Sequence, residues 1–293
     1  MHLPPNFSAF ASAAEATEIA AGQGVRVLGT SNYYDYSVYG PFAEQAQARA
    51  VFPLFGMEVI CLDAGLLRAS ARVNDPANPG KMYLCGKGVT GFDPLGPAAT
   101  DLLAAVRGAD SERAALLVDR LDAVFSAAGV PVSLSDSGIR AMVAERYGVP
   151  VETVYLQERH VALAFQEALF EGVPAAERAR ALLSVLGPGT AAAASPGQVQ
   201  DAIRSHLMKR GKPAYVAETF PPFEQVYQLV LALRGVPCYP VLADGAKPVC
   251  EFEQDVGSLL VSLRERAIYC AELIPNRNSP STAQEYAGAL REA

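Results

Sequence analysis

The sequence contains no Cys-x-x-Cys pair, no secretory leader, no long apolar run and no excess of positive charge, and each absence removes a class of protein. Its cysteines, Cys61, Cys85, Cys238, Cys250 and Cys270, stand singly and are odd in number, which argues against a disulfide framework. Most of them fall in strand-like runs, where a thiol reads as a small buried hydrophobe. The opening MHLPPNFSAF has neither the basic region nor the apolar stretch of a signal peptide. The implied compartment is the reducing cytoplasm. Charges and turn residues break every apolar run short of the ~18 residues that a membrane span needs, so no membrane partner is expected. With 24 Lys and Arg against 31 Asp and Glu, the net charge of −7 leaves no uniform basic field for nucleic acid or anionic lipid. No repeat at a solenoid or propeller period is present. What remains is ample: 51% hydrophobic residues over 293 positions supply a large core and exclude intrinsic disorder.

Helical and strand-like patterns alternate at both ends of the chain. AEATEIAAGQG reads as a helix stopped by glycine and VRVLG as a strand; PFAEQAQARA, FGMEVICL and KMYLCGKG then give helix, strand, strand. Further on, PFEQVYQLVLALRG leads into VPCYPVL, and DVGSLLVSLRERA into IYCAELI. Strands separated by single helices predict an α/β fold with a parallel sheet and right-handed crossovers, open or closed into a barrel. Residues 98–220 depart from this rhythm with successive helical patterns and little strand, so the reading is a barrel from 1–97 and 221–293 split by a helical insertion. Ser111 and Ser135 or Asp136 are the expected caps of two insertion helices. The AAAASPG tract near Ala191 reads as a loop or linker.

In such sheets ligands sit at the carboxyl ends of strands. There the sequence offers Ser31, Asn32 and Tyr33, then Glu58 within its strand, then Tyr83 and Lys87, Tyr239 with Asp244, and Glu272 with Asn276, Arg277 and Asn278. This polar, partly cationic set suits a phosphorylated or otherwise anionic ligand. Glu58 is the sharpest member: a carboxylate in an apolar strand needs a metal, a cation such as Lys87 or Arg277, or a hydrogen-bonded partner. Among the histidines, His2 is a candidate metal ligand and His160, with Arg159, a candidate phosphate contact. His206 lies among Arg204, Lys209, Arg210 and Lys212, the best local candidate for an anion or nucleic-acid contact, although nucleic acid is not the favoured partner.

At these residues the sequence resembles the polymerase and histidinol phosphatase (PHP) family, and within it the small nucleotide and RNA phosphoesterases that carry a helical insertion. HLPPNFS followed by a helix and VRVLGTSN is similar to the family's His-x-His and Thr-Asp-His segments, and FPLFGMEVI to its Gly-Val-Glu strand. MYLCG, QERHVALAFQEALF, RGVPCYP and IYCAELIPNRNS resemble later family segments in the same order. The resemblance implies a distorted TIM-like (β/α)7 barrel holding divalent zinc, manganese or iron, whose bound water attacks a phosphoester. Carried over residue by residue, Ser31 and Asn32 stand for the family's Asp and His, and Tyr83 and Tyr239 for later histidines. Only Glu58 and His2 match, and hydroxyls and amides are poor transition-metal ligands. By the same comparison the first His would precede Met1, and STAQEYAGALREA resembles the helix before the family's last strand. The expectation is a fragment, or a barrel completed by a missing segment or a second copy.

Two functions from different classes follow. One is a binding protein, a pseudoenzyme that recognises a phosphorylated metabolite or nucleotide through Ser31, Asn32, Lys87, Arg159, His160, Tyr239 and Arg277. The other is an active phosphoesterase with a non-standard metal centre on Glu58. The ligand chemistry favours the first. A metal-free lyase using Lys87 as a Schiff-base nucleophile is a minor third reading.

Overall fold

The computed structural model describes residues 1–187 and 195–292. In chain order, among these residues, the elements are α1 (Ala13–Gly22), β1 (Val27–Asn32), α2 (Tyr39–Gln47), β2 (Phe52–Leu62), α3 (Ala64–Arg68), β3 (Lys81–Lys87), α4 (Pro97–Ala127), α5 (Asp136–Tyr147) and α6 (Glu158–Gly172). There follow α7 (Arg178–Leu186), α8 (Pro196–Ile203) continued by a π-turn at Arg204–Met208, α9 (Phe223–Ala232), β4 (Val236–Pro240), α10 (Val256–Glu265), β5 (Cys270–Glu272) and α11 (Pro280–Glu292). The fold is mixed α/β. The chain divides into two compact units, one of Met1, 13–106 and 220–293, the other of 2–12 and 107–219. The division falls inside α4, and residues 2–12 belong with the helices. Most of the AAAASPG tract lies outside the described residues, and its end, Ser195–Gly197, caps and opens α8.

The first unit is built on a sheet of order β1-β2-β3-β4-β5. The helix-strand rhythm predicts a parallel sheet, but the strands are not all parallel: β1 and β2 are parallel and β4 and β5 are parallel, whereas β3 runs against both neighbours. The reason lies in the connection from Leu62 to Lys81. Its helix α3 has five residues, too short to carry the chain back along an eleven-residue strand. The connection returns on itself instead, with Asp63 N–H donating to the Gly80 carbonyl at 2.9 Å, so β2 and β3 form a long hairpin. No pairing joins β5 to β1 among the described residues, and the expected barrel is not closed.

One face of this sheet is packed by helices. Met57, Val59, Cys61, Met82, Leu84 and Tyr239 meet Tyr39 of α2, Leu103 of α4, Leu229 and Val230 of α9, and Leu259 and Leu263 of α10 in one buried cluster. Each fully buried aliphatic or aromatic side chain there contributes roughly 1.5–3 kcal/mol. Tyr39 also pins two strands, because its hydroxyl donates to the Gly56 carbonyl at 2.6 Å and accepts from Asn32 N–H at 2.8 Å.

The second unit has its own core, with Leu117, Leu121 and Phe125 of α4 against Ile139 of α5, Phe165 and Leu169 of α6, and Val199 and Ile203 of α8. Ser135 caps α5 as predicted, accepting from Gly138 N–H at 3.1 Å. Ser111 does not cap a helix. Pro97 opens α4 well upstream, and the Ala- and Leu-rich 98–110 stretch, a strong helix former, carries it through Ser111 without interruption.

Candidate functional site

Strand register decides which side chains share a face. Glu58 pairs with Cys85, Cys85 with Cys238, and Cys238 with Cys270, a single row across four strands. Two positions along β3 bring Lys87 to the same face, and two along β5 bring Glu272. On the other flank Ser31 pairs with Gly56, and Tyr33 follows β1 directly beside Glu58. The intervening residues of β2, Met57, Val59 and Cys61, are buried in the helix-packed core, while Glu58, Ile60 and Leu62 are half-buried. The face opposite the core is therefore the polar one.

Each charge on this face has a partner. The Tyr33 hydroxyl donates to Glu58 Oε1 at 2.7 Å, one of the three kinds of partner that the sequence leaves open for Glu58. Burial, reinforced by the Glu58 charge, raises the Tyr33 pKa and keeps the phenol a donor. Lys87 Nζ lies 2.6 Å from Glu272 Oε2. Burial acts to lower the Lys87 pKa, but the neighbouring Cys85 and Glu272 more than reverse it, so the net shift is upward. A Schiff-base lysine needs the opposite shift, and this geometry works against the lyase reading. The Cys238 and Cys270 sulfurs are in hydrogen-bond contact at 3.2 Å. That contact brings the Cys270 pKa down to about 7, helped by Lys87 against the opposing effects of burial and Glu272. The Ser31 hydroxyl is buried and has no hydrogen-bond partner among the described residues.

Two further predicted residues of the sheet face away from Glu58. Asn32 and Tyr239 are on the core side: Asn32 is buried, and Tyr239 donates to Glu253 Oε1 at 2.8 Å. Glu253 is a second buried carboxylate, also accepting from Leu242 and Ala243 N–H at 2.9 and 2.7 Å. Arg277 is exposed in the turn after β5, its backbone N–H bonded to the Ile274 carbonyl. His2, Arg159 and His160 belong to the second unit. There His160 is buried, and its Nδ1 accepts the Gln157 N–H at 3.1 Å to complete the capping box of α6. Burial brings its pKa down to about 4, so the imidazole is neutral near pH 7. Arg159 stacks over Phe7, 5.6 Å from the ring centre. Within the basic cluster, Lys209 lies 2.8 Å and Arg204 4.0 Å from Glu158, which Arg113 also reaches at 2.8 Å.

The row of three cysteines is the feature that sequence reading passes over. Its signal was positional: Cys85, Cys238 and Cys270 each occupy an apolar strand run, and only register shows that the runs are neighbours.

A metal centre of the kind the family resemblance implies needs several nitrogen or carboxylate donors converging on one point. Among the described residues no three His, Cys, Asp or Glu side chains are grouped to hold a metal ion. The residues of the Glu58 face do not fit a polynuclear centre. No described helix is long and apolar enough to cross a membrane.

No family model matches this chain, and no curated protein matches it by sequence. Solved structures do. A protein of Bifidobacterium adolescentis described as a "putative metal-dependent phosphoesterase" superposes with a TM-score of 0.60 at 16% identity, covering 96% of this chain and 78% of the other. An amidohydrolase from Chromobacterium violaceum, solved with bound sulfate and no metal, gives a TM-score of 0.57 at 16% identity and the same coverage. At this identity the likeness establishes the fold alone: the chain has the fold of structures described as metal-dependent phosphoesterase and amidohydrolase.

Proposed function

We propose that this chain is a PHP-like domain, built on the distorted (β/α)7 plan with a helical insertion, that binds a phosphorylated metabolite or nucleotide on the Glu58 face without a polynuclear metal centre. One observation carries the reading. The face gathers donors suited to phosphate oxygens, the Ser31 hydroxyl and the Lys87 ammonium, with the Tyr33 hydroxyl already given to Glu58, and among the described residues it gathers no metal-ligand set. Glu272 pairs with Lys87, so a phosphate oxygen has to compete with that carboxylate. The sulfate reported for the Chromobacterium structure agrees with an anion on this scaffold.

A thermal-shift screen of nucleotides and sugar phosphates in the presence of chelator tests this. A stabilising ligand is expected whose effect is lost in Lys87→Ala and strengthened in Glu272→Gln. The second reading, an active phosphoesterase, is favoured by the name of the Bifidobacterium structure and by the half-buried Glu58 carboxylate. Two or more transition ions per chain after chelator-free purification, with phosphoesterase turnover abolished by Glu58→Gln, would establish it and sink the first.

A further inference from the structure

Three of the five cysteines stand in one row of the sheet, and two of their sulfurs touch. Cys238 and Cys270 are Cα partners on the adjacent parallel strands β4 and β5. Paired strands lie about 4.7–4.9 Å apart, inside the roughly 4.4–6.8 Å range of Cα separations that a disulfide spans. The sulfurs, 3.2 Å apart, need to close by about 1 Å to reach bonding distance. Among the described residues β5 is a three-residue strand at the edge of the sheet, paired only to β4, so it can supply that movement. Cys270 is half-buried and open to a small reagent, whereas Cys238 beside it is buried. Along the strands Lys87 and Glu272 stand on opposite sides of the cysteine row, and their ion pair spans it.

We infer that Cys238 and Cys270 are a redox couple that closes reversibly into an inter-strand disulfide when the protein meets a hydroperoxide. The Cys270 thiolate attacks the peroxide O–O bond, forming the sulfenic acid and releasing hydroxide or alkoxide. The Cys238 sulfur then displaces the sulfenic hydroxyl, which leaves as water with the Cys238 proton. Two thiols are oxidised, one peroxide is reduced, and an external thiol reverses the bond by exchange. The division of labour follows from position: Cys270 is the reachable sulfur and has the Lys87 ammonium nearby to favour its anion. Cys85, across from Cys238 on β3, is unsuited to attack because burial pushes its thiol up to about 12.

Peptide mapping of the full chain tests this independently of any ligand or phosphoesterase activity. After treatment with hydrogen peroxide, alkylation and non-reducing trypsin digestion, a reducible link is expected between residues 235–264, which hold Cys238 and Cys250, and residues 267–277, which hold Cys270. Two of the five thiols become unreactive per chain and return with dithiothreitol. The link survives in Cys250→Ser and disappears in Cys238→Ser; should the latter not fold, fragment ions across 235–264 locate the bonded sulfur in the wild-type chain. Recovery of Cys270 as sulfinic or sulfonic acid beside an alkylated Cys238, or a link through Cys85 or Cys250, overturns the inference.

Discussion

At Gly56 the absence of a side chain holds two strands at the observed spacing. A Cβ there would stand 2.7 Å from the Gly86 carbonyl oxygen and 3.2 Å from the Ser31 hydroxyl. The first contact is with backbone, which can yield only by displacing the β2–β3 ladder. Gly56→Ala is therefore expected to destabilise the protein by about 1–3 kcal/mol, the range for overpacking a close-packed site. Urea denaturation measures it, and a wild-type midpoint would show that the ladder gives way freely. Cys270 offers a test of charge. Its thiol is brought down to about 7, while Cys85 is pushed up to about 12 and Cys250 to about 11. Iodoacetamide should label Cys270 first, with a rate that rises through about pH 7 as the thiolate forms. In Lys87→Ala that midpoint should move upward. A Cys270 midpoint in the ordinary thiol range would remove the electrostatic part of the argument.

Among the elements, the β3–β4 junction depends on one side chain from the connection before it. The paired register of these strands ends at Cys85 and Cys238, and beyond it the buried Asn74 continues the ladder. Its amide nitrogen donates to the Tyr83 and Pro240 carbonyls, both at 3.0 Å, and its oxygen accepts the Tyr83 N–H at 2.8 Å. Asn74→Ala strands these backbone groups without replacement and should cost about 2–4 kcal/mol in equilibrium unfolding. Asn74→Asp keeps the acceptor but loses the donors, and should also destabilise. A near-neutral alanine variant would mean that water takes over the bridge. This junction also marks the limit of what the sequence discloses. Among the described residues all five strands are visible as apolar runs, and most helices as periodic patterns, because burial imposes those periods locally. The direction of β3 is not visible, since it depends on where the 63–80 connection closes on itself, a matter of turn geometry and the Asp63 to Gly80 bond. The same holds for the site. Glu58 is conspicuous as a lone charge in an apolar strand, and Tyr33 is adjacent to it only through register. Tyr239 looks like a strand-end candidate, but the alternation of the strand turns it into the core, toward Glu253. Helix α7 escapes because its Arg- and Ala-rich start carries no cap signal.

Over the whole molecule, the net charge of −7 says less about acid sensitivity than the positions of a few carboxylates. In the first unit Asp63 caps α3, accepting Leu66 N–H, and pairs with Arg266 at 2.9 Å. In the second Glu158 pairs with Lys209 and Arg113, each at 2.8 Å. Burial alone would raise both carboxyls, but these bonds hold both below their usual range. A carboxylate whose folded pKa is depressed adds stability that is present above its unfolded pKa and is lost as pH falls through the folded value. Glu253 has the opposite sign, since burial outweighs its three hydrogen bonds and raises its pKa. Its contribution is full at low pH and is lost as pH rises through the folded value. The depressed carboxyls Asp244, Glu251 and Asp255 are solvent-screened and add little to the balance. Asp63 and Glu158, one in each unit, should therefore govern the acid limb. The urea midpoint should fall as the pH is lowered from about 6 to about 3. The double variant Asp63→Asn, Glu158→Gln should start lower and fall less steeply over that interval, because its amides cannot take up the protons that drive unfolding. Replacing Glu253 by Gln should make the acid limb steeper, since it removes a carboxyl that takes up its proton in the folded state first and so adds stability as pH falls toward the unfolded carboxyl value. An unchanged slope in the double variant would assign acid unfolding to the diffuse charge of the surface instead of to these two bonded carboxylates.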